Sequence, residues 1–181
     1  KGDRVAAYVP NKIETVISFL ACAKNGIIWS SCSPDFGVQG VVDRFKQIEP
    51  KVLITSDYYF YNGKKINILD KVDEVIKQIP SIEKVIVYSY YKKEKENLKN
   101  FIDFEEALNI ESDETFERFE FNHPIYILFS SGTTGKPKCI THGTGNVLIE
   151  HNKEFMLHCD IRDNEKLFYY TTTGWMMWNW L

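Results

Sequence analysis

The sequence predicts an α/β fold in which a mostly parallel sheet is flanked by helices. Three observations carry that prediction. Short apolar runs of strand character alternate with segments of helical periodicity nearly throughout the 181 residues. Such alternation is the mark of parallel strands joined by crossover helices. A loop dense in hydroxyls and glycines follows one of the strand segments, and parallel sheets bind ligands at the carboxyl ends of their strands.

Taken in order, Val5 to Val9 predicts a strand ended by Pro10 and Asn11. From Lys12 to Lys24, Ile13, Val16, Ile17, Leu20 and Ala21 recur at helical spacing, with Asn11 as N-cap and Gly26 as the stop. Ile27 to Ser30 predicts a second strand, Ser33 to Gly37 a turn, Val38 to Ile48 a helix closed by Pro50, and Val52 to Thr55 a third strand. Asp57 to Lys65 reads as a loop, Asp70 to Ile79 as a helix and Val85 to Tyr88 as a fourth strand. Lys92 to Asn100 is polar and reads as a loop, Ile102 to Leu108 as a short helix, and Glu111 to Phe121 as an acidic connection. Ile125 to Phe129 is a buried strand. Cys139 to Thr141 predicts a further short strand, Gly145 to His158 a helix and Lys166 to Tyr170 a strand.

Composition narrows the function classes. Hydrophobic residues make up 44% of the chain, enough for one packed core or part of a larger one. The net charge is −3 with both signs interspersed, which argues against a nucleic-acid-binding face. No apolar run is long enough to cross a bilayer and no signal peptide is present. Cys22, Cys32, Cys139 and Cys159 form no Cys-x-x-Cys pair, and the four histidines are spread, so no zinc site is expected. A cytosolic setting with free thiols fits best. The sequence starts Lys1-Gly2-Asp3 without an initiator Met and closes on the apolar Trp175 to Leu181. Natural termini are usually exposed, so the chain reads as an internal piece of a longer protein.

The densest chemistry lies in Ser130-Ser131-Gly132-Thr133-Thr134-Gly135-Lys136-Pro137-Lys138. Hydroxyls and main-chain N–H groups donate to phosphate oxygens, glycine lets the backbone approach closely, and lysine adds a compact positive charge. The physical reading is a loop that grips a polyphosphate. It is not the P-loop of the NTPases, because Gly132 and Gly135 are too close and Pro137 follows Lys136. At these residues the chain resembles the AMP-forming acyl-CoA synthetases of the adenylate-forming superfamily. Their signature, Ser/Thr-Ser-Gly-Ser/Thr-Thr-Gly-x-Pro-Lys, is matched from Ser130 to Lys138. The resemblance implies that Ser130, Ser131, Gly132, Thr133, Thr134, Gly135, Lys136 and Lys138 hold the β- and γ-phosphates of ATP. Lys138 is the one candidate here for a catalytic side chain, with a partly structural role as the other reading. His142, just beyond, is read as a structural or helix-entry residue.

Thr171 to Trp180 is the second unusual stretch. Trp175, Met176, Met177, Trp178 and Trp180 form a large, adaptable apolar surface. Such clusters are usually core or interface; the threonines before it point toward a pocket wall. In the family, a segment at this distance lines the acyl-substrate pocket, so Trp175, Met176, Met177 and Trp178 are its implied acyl-pocket residues. Acetyl- and propionyl-CoA synthetases carry Gly-Trp followed by small or hydroxyl residues there. The run from Gly174 to Trp180, with Trp29 to Gly37, resembles instead the branch that acts on acetoacetate. A β-keto acid needs an apolar floor and a polar partner for its ketone, and Trp178 and Trp180 each offer an indole N–H.

A third feature is Tyr61-Asn62-Gly63-Lys64-Lys65. In acetyl-CoA synthetases the matching loop carries two arginines that hold phosphates of the CoA nucleotide. Lys64 stands at one position and Tyr61 at the other, which implies a CoA contact at Lys64 and Lys65; a solvated basic turn explains the residues equally well. The resemblance spans the chain but only part of a large N-terminal AMP-binding domain, residues 1–181, with the C-terminal domain absent. It implies an ATP-dependent acid–thiol ligase using ATP, Mg²⁺ and CoA, with acetoacetate as the acid. The alternatives are an acetyl- or propionyl-CoA synthetase and a catalytically inert nucleotide-binding relative. The ribose-binding aspartate, the adenine segment, the Tyr-Gly-x-Thr-Glu motif and the adenylation lysine of the family lie outside this sequence, so the chain alone is not expected to turn over.

Overall fold

The structure is a computed structural model and describes residues 1–90, 101–112, 115–131 and 135–180. The predicted loop at 92–100 and the residues Gly132, Thr133, Thr134 and Leu181 lie outside the described residues. Strand β1 (Arg4–Tyr8) leads to helix α1 (Ile13–Lys24), β2 (Ile28–Cys32), α2 (Val38–Ile48), β3 (Val52–Ser56), the hairpin β4 (Tyr58–Tyr61) and β5 (Lys64–Asn67), and α3 (Leu69–Gln78). Then come β6 (Lys84–Tyr88), β7 (Phe101–Asp103), α4 (Phe104–Leu108), β8 (Pro124–Ser130), β9 (Lys138–Gly143) and α5 (Thr144–Lys153). A π-turn (Glu154–His158) extends α5, and a 3₁₀ turn (Met176–Trp180) follows later.

Seven strands form one sheet in the order β7-β6-β3-β1-β2-β8-β9. Every neighbouring pair is parallel except β8 and β9, which run antiparallel at the edge. The predicted α/β class with a mostly parallel sheet is what the chain adopts.

β1 shows why its sequence is apolar without alternation. Ala6 and Tyr8 enter a core with Val41, Phe45, Val72 and Val75 of α2 and α3. Val5, Ala7 and Val9 enter a second core with Cys22 of α1, Phe104 of α4 and Trp29. A strand buried on both faces needs apolar residues at every position.

The crossover after β1 runs to β2 on one face, and the one after β3 runs to β6 on the other. β1 and β3 are neighbours, so the loops at their carboxyl ends part in opposite directions. Such a switch point opens the crevice in which sheets of this kind bind ligands.

Five expectations change. Asn11 is not the cap of α1: Lys12 holds that position and makes no side-chain capping bond. The helix does stop as predicted, because Gly26 (φ 61°) lets its own N–H reach the Ala23 carbonyl and the Ile27 N–H reach Cys22. The apolar stripe of α1 faces outward. Ile13 is 68% and Leu20 58% exposed, whereas Thr15, Ser18 and Cys22 are buried. The predicted loop at Asp57 to Lys65 is a hairpin, turned by Asn62 and Gly63 with φ of 48° and 72°. Ile102 begins as part of β7, and only Phe104–Leu108 is helical, capped by the Asp103 carboxylate accepting from the Glu105 N–H at 2.9 Å. Lys166 to Tyr170 form no strand, since no neighbour among the described residues pairs with them.

Candidate functional site

The carboxyl edge of the sheet gathers the loop residues that the sequence singles out. β8 ends at Ser130, whose partner across the edge hairpin is Lys138 of β9. The predicted phosphate loop is therefore the connection between these two strands. Ser131, Gly135, Lys136 and Lys138 are exposed, and Ser130 is half-buried. A Cβ added at Gly135 would meet nothing within 4 Å, so open space surrounds it. The Pro137 carbonyl accepts a hydrogen bond from Gln47 Nε2 of α2 at 2.9 Å, which ties the far end of the loop to the body.

β2 lies beside β8, and Ser30 Oγ joins them by donating to the Ile127 carbonyl at 2.8 Å. The other predicted site segment is fastened to this same region. Ser31 Oγ donates to the Thr173 carbonyl at 2.7 Å, and Thr173 Oγ1 donates to the Val9 carbonyl at 2.6 Å. Gly174 presses on the turn after β2: a Cβ there would come 3.1 Å from the Ser33 nitrogen and 3.0 Å from the Phe36 ring. Glycine permits that approach. Tyr8 holds the turn from beneath, its hydroxyl donating to the Phe36 carbonyl at 2.6 Å, and burial pushes the phenol well above its ordinary range.

The four predicted acyl-pocket residues separate in space. Trp175 is 55% exposed, and Met176 and Met177 are half-buried. Trp178 turns inward to the core, with its ring 6.4 Å from Phe19. Its indole N–H donates to Asn11 Oδ1 at 2.9 Å and is thereby spent on the protein itself. Asn11, Ser31 and Thr173 are the positioning residues that sequence reasoning missed. Their partners are 142 to 167 residues away along the chain, and no local pattern announces such pairs.

The hairpin β4–β5 rises at the switch point. Lys64 faces Tyr61 across it, and Lys65 Nζ sits 3.6 Å from the centre of the Tyr58 ring. A hollow of about 140 Å³ lies between the hairpin and the loops after β1 and β2, lined by Asn11, Asp35, Tyr59, Tyr61 and Thr171.

A second hollow, of about 400 Å³, lies on the opposite flank under Trp180. Tyr126, His142, Val147, Glu150 and His151 line it. Burial pushes the Tyr126 phenol up to about 12, with the Trp180 indole opposing the shift. Burial also lowers both imidazoles below their ordinary range; at His151 the neighbouring Glu150 carboxylate works against this.

Among the described residues no group of three His, Cys, Asp or Glu side chains is arranged to hold a metal ion. All four cysteines are unpaired, and no helix among the described residues is long and apolar enough to cross a membrane.

Comparison with known proteins agrees with the geometry. The chain is 50% identical to the acetoacetyl-coenzyme A synthetase of Rhizobium meliloti (strain 1021) and 46% identical to that of Gallus gallus, in each case over 99% of its own length. A solved structure of acetoacetyl-CoA synthetase from Streptomyces lividans matches 99% of the chain at 43% identity with a TM-score of 0.93. The chain spans 28% of the length of each of these proteins. The family model for AMP-binding enzymes matches residues 1–178, and the chain belongs to that family.

Proposed function

We propose that this chain is part of the N-terminal domain of an ATP-dependent ligase that joins acetoacetate to CoA through an acyl-adenylate. The carboxylate of the acid attacks the α-phosphorus of ATP, the bond to the β-phosphate breaks, and pyrophosphate leaves. The CoA thiolate then attacks the acyl carbon and AMP departs. In-line positioning and charge neutralisation dominate the first step. Ser130, Ser131, Thr133 and Thr134 supply hydroxyl donors to the leaving pyrophosphate, Gly132 and Gly135 let main-chain amides close over it, and Lys136 and Lys138 supply charge. Lys138 works from the end of a strand, which fixes its backbone. Mg²⁺ enters as a companion of the triphosphate, and none of the described residues is assigned to it. Trp175, Met176 and Met177 form the wall of the acyl pocket, with Trp178 as their anchor in the core. Lys64, with Lys65 behind it, receives phosphates of the CoA nucleotide beside the switch-point hollow. The free thiols fit a cytosolic enzyme.

The observation that carries the reading is the shared edge. β2 holds Thr173 through Ser31, and its neighbour β8 launches the phosphate loop, so acid and triphosphate are offered to each other across one strand. The test is pyrophosphate exchange by the full-length protein with acetoacetate, acetate and propionate. Exchange is expected to be fastest with acetoacetate. Exchange with acetate or propionate alone would reassign the acid, and exchange with none would leave an inert nucleotide binder.

A further inference from the structure

Three buried polar atoms find no hydrogen-bond partner in the hollow under Trp180: Nε2 of His142, Nε2 of His151 and the Tyr126 hydroxyl. A buried donor or acceptor left unpaired costs roughly 1–3 kcal/mol, so three in one cavity ask for a ligand or an equivalent. The wall combines Val147, Ile149 and the Tyr126 and Trp180 rings with the polar Asn146 and Glu150. The His142 ring lies 5.0 Å from that of Tyr126, and the His151 ring lies 6.3 Å from that of Trp180. A mostly apolar hollow with a few convergent polar atoms is the usual form of a small-molecule site.

The hollow is in register with the phosphate loop. Tyr126 and Ser130 are both on β8, four residues apart, and side chains on a strand repeat on one face every second residue. Tyr126 and Leu128 enter the core on the α1 side, whereas Ile127 enters the other, so Ser130 shares the face of Tyr126. The step between them is about 13 Å along an extended strand. Trp180 belongs to the same turn as Met176 and Met177, so the acyl-pocket segment reaches the hollow from its other side.

We propose that this hollow seats the keto end of the β-keto acid and that His151 Nε2–H donates a hydrogen bond to the ketone oxygen. The proposal rests on the acetoacetate reading above. His151 is chosen over His142 and the Tyr126 hydroxyl because its ring faces Trp180, where the acyl-pocket segment enters, while the His142 ring faces Tyr126 and the Tyr126 phenol is the group that the Trp180 indole acts on. Burial outweighs the Glu150 carboxylate and favours the neutral imidazole, which keeps a single N–H to offer. The two indoles, the partners that the sequence suggests, are placed otherwise: Trp178 is bonded to Asn11, and Trp180 roofs the hollow.

The experiment compares acetoacetate with butyrate, which has the same chain length and no ketone, in pyrophosphate exchange by the full-length protein. His151→Leu is expected to lower kcat/KM for acetoacetate by about 10- to 100-fold and to leave butyrate within about threefold, with KM for ATP unmoved. His151→Gln, which keeps an N–H donor, is expected to recover part of the preference. An unchanged acetoacetate-to-butyrate ratio in His151→Leu overturns the proposal alone. Loss of both acids in equal measure in both variants also overturns it, since it assigns His151 to folding. A wild-type protein that exchanges with acetate or propionate and not with acetoacetate overturns the ligase reading first, and this proposal with it.

Discussion

The two faces of the sheet are finished to different degrees. On one face, α2 buries Val41, Val42, Phe45 and Ile48, and α3 buries Val72 and Val75. On the other, α1 turns Ile13 and Leu20 outward, and α5 has no buried residue at all, with Leu148 and Ile149 more than 60% exposed. Both helices carry apolar residues at helical spacing, but α2 concentrates them on one strongly amphipathic face while α1 is apolar more evenly around its circumference. The α2–α3 face is closed by residues of this chain. The α1–α5 face carries the hollow under Trp180 and adjoins the segment 171–180. The chain spans 28% of its relatives' length. The proposed acyl site thus adjoins the more open face, and the densest packing lies on the closed one.

The sharpest way to break this comparison is to remove one large side chain from each face. Phe45→Ala on the closed face empties a site with no solvent access, and about 3–5 kcal/mol of stability is expected to go with it. Leu148→Ala on the open face is expected to change stability by no more than about 0.5 kcal/mol. Denaturant midpoints of the two variants read both numbers. Comparable losses would show that the open face is packed as tightly as the closed one.

Much of this was legible in the sequence, and what was not has a physical reason. The strands β1, β2, β3 and β6 and the helices α1, α2 and α3 follow from runs and periods, because each is decided within its own few residues. The hairpin at Asn62-Gly63 reads as a loop in the sequence, although that dipeptide favours a two-residue hairpin turn, because the strand after it, Lys64 to Asn67, is too polar to announce itself. The burial face of α1 was not legible either. Thr15 goes inward because its hydroxyl donates to the Pro10 carbonyl at 2.8 Å and Ser18 because its own donates to Glu14, so polar residues are satisfied where apolar ones were expected. Lys166 to Tyr170 have strand composition, but a strand needs a partner, and composition cannot supply one. Of the proposed site, the glycine-and-hydroxyl loop and the tryptophan-rich segment stand out by motif alone. The clamps Asn11, Ser31 and Thr173 do not, because their roles exist only once distant residues meet.

On the proposed phosphate edge, Thr134→Val in the full-length protein is expected to slow pyrophosphate exchange by about 10- to 100-fold, with little change in acid binding. Exchange near the wild-type rate would remove Thr134 from the phosphate site. A smaller effect is expected where the edge is merely fastened. Thr173→Val leaves the buried Val9 carbonyl without its 2.6 Å donor, at a cost of about 1–2 kcal/mol. Unfolding of the variant measures that cost. If Thr173 positions the acyl wall as well, KM for the acid rises while KM for ATP stays.

The smallest expected effect is a pH dependence confined to the open face. His142 and His151 both have their pKa lowered below the ordinary 6.5, at each chiefly by burial. At His151 the Glu150 carboxylate opposes the shift and the adjoining His142 adds to it. A lowered histidine pKa means that the unfolded chain holds the proton more tightly. Near and just below pH 6.5 the unfolded state therefore binds more protons than the folded one, and stability rises with pH. The contribution is fully present above pH 6.5 and is lost as pH falls through the folded pKa. Melting temperature is thus expected to drop between pH 7 and pH 5 more steeply in the wild type than in the double variant His142→Gln, His151→Gln. Phe45→Ala, which touches only the closed face, is expected to lower the whole curve and keep its slope. If the double variant shows the wild-type slope, the imidazoles are hydrated in solution, and the open face is wetter than its geometry implies.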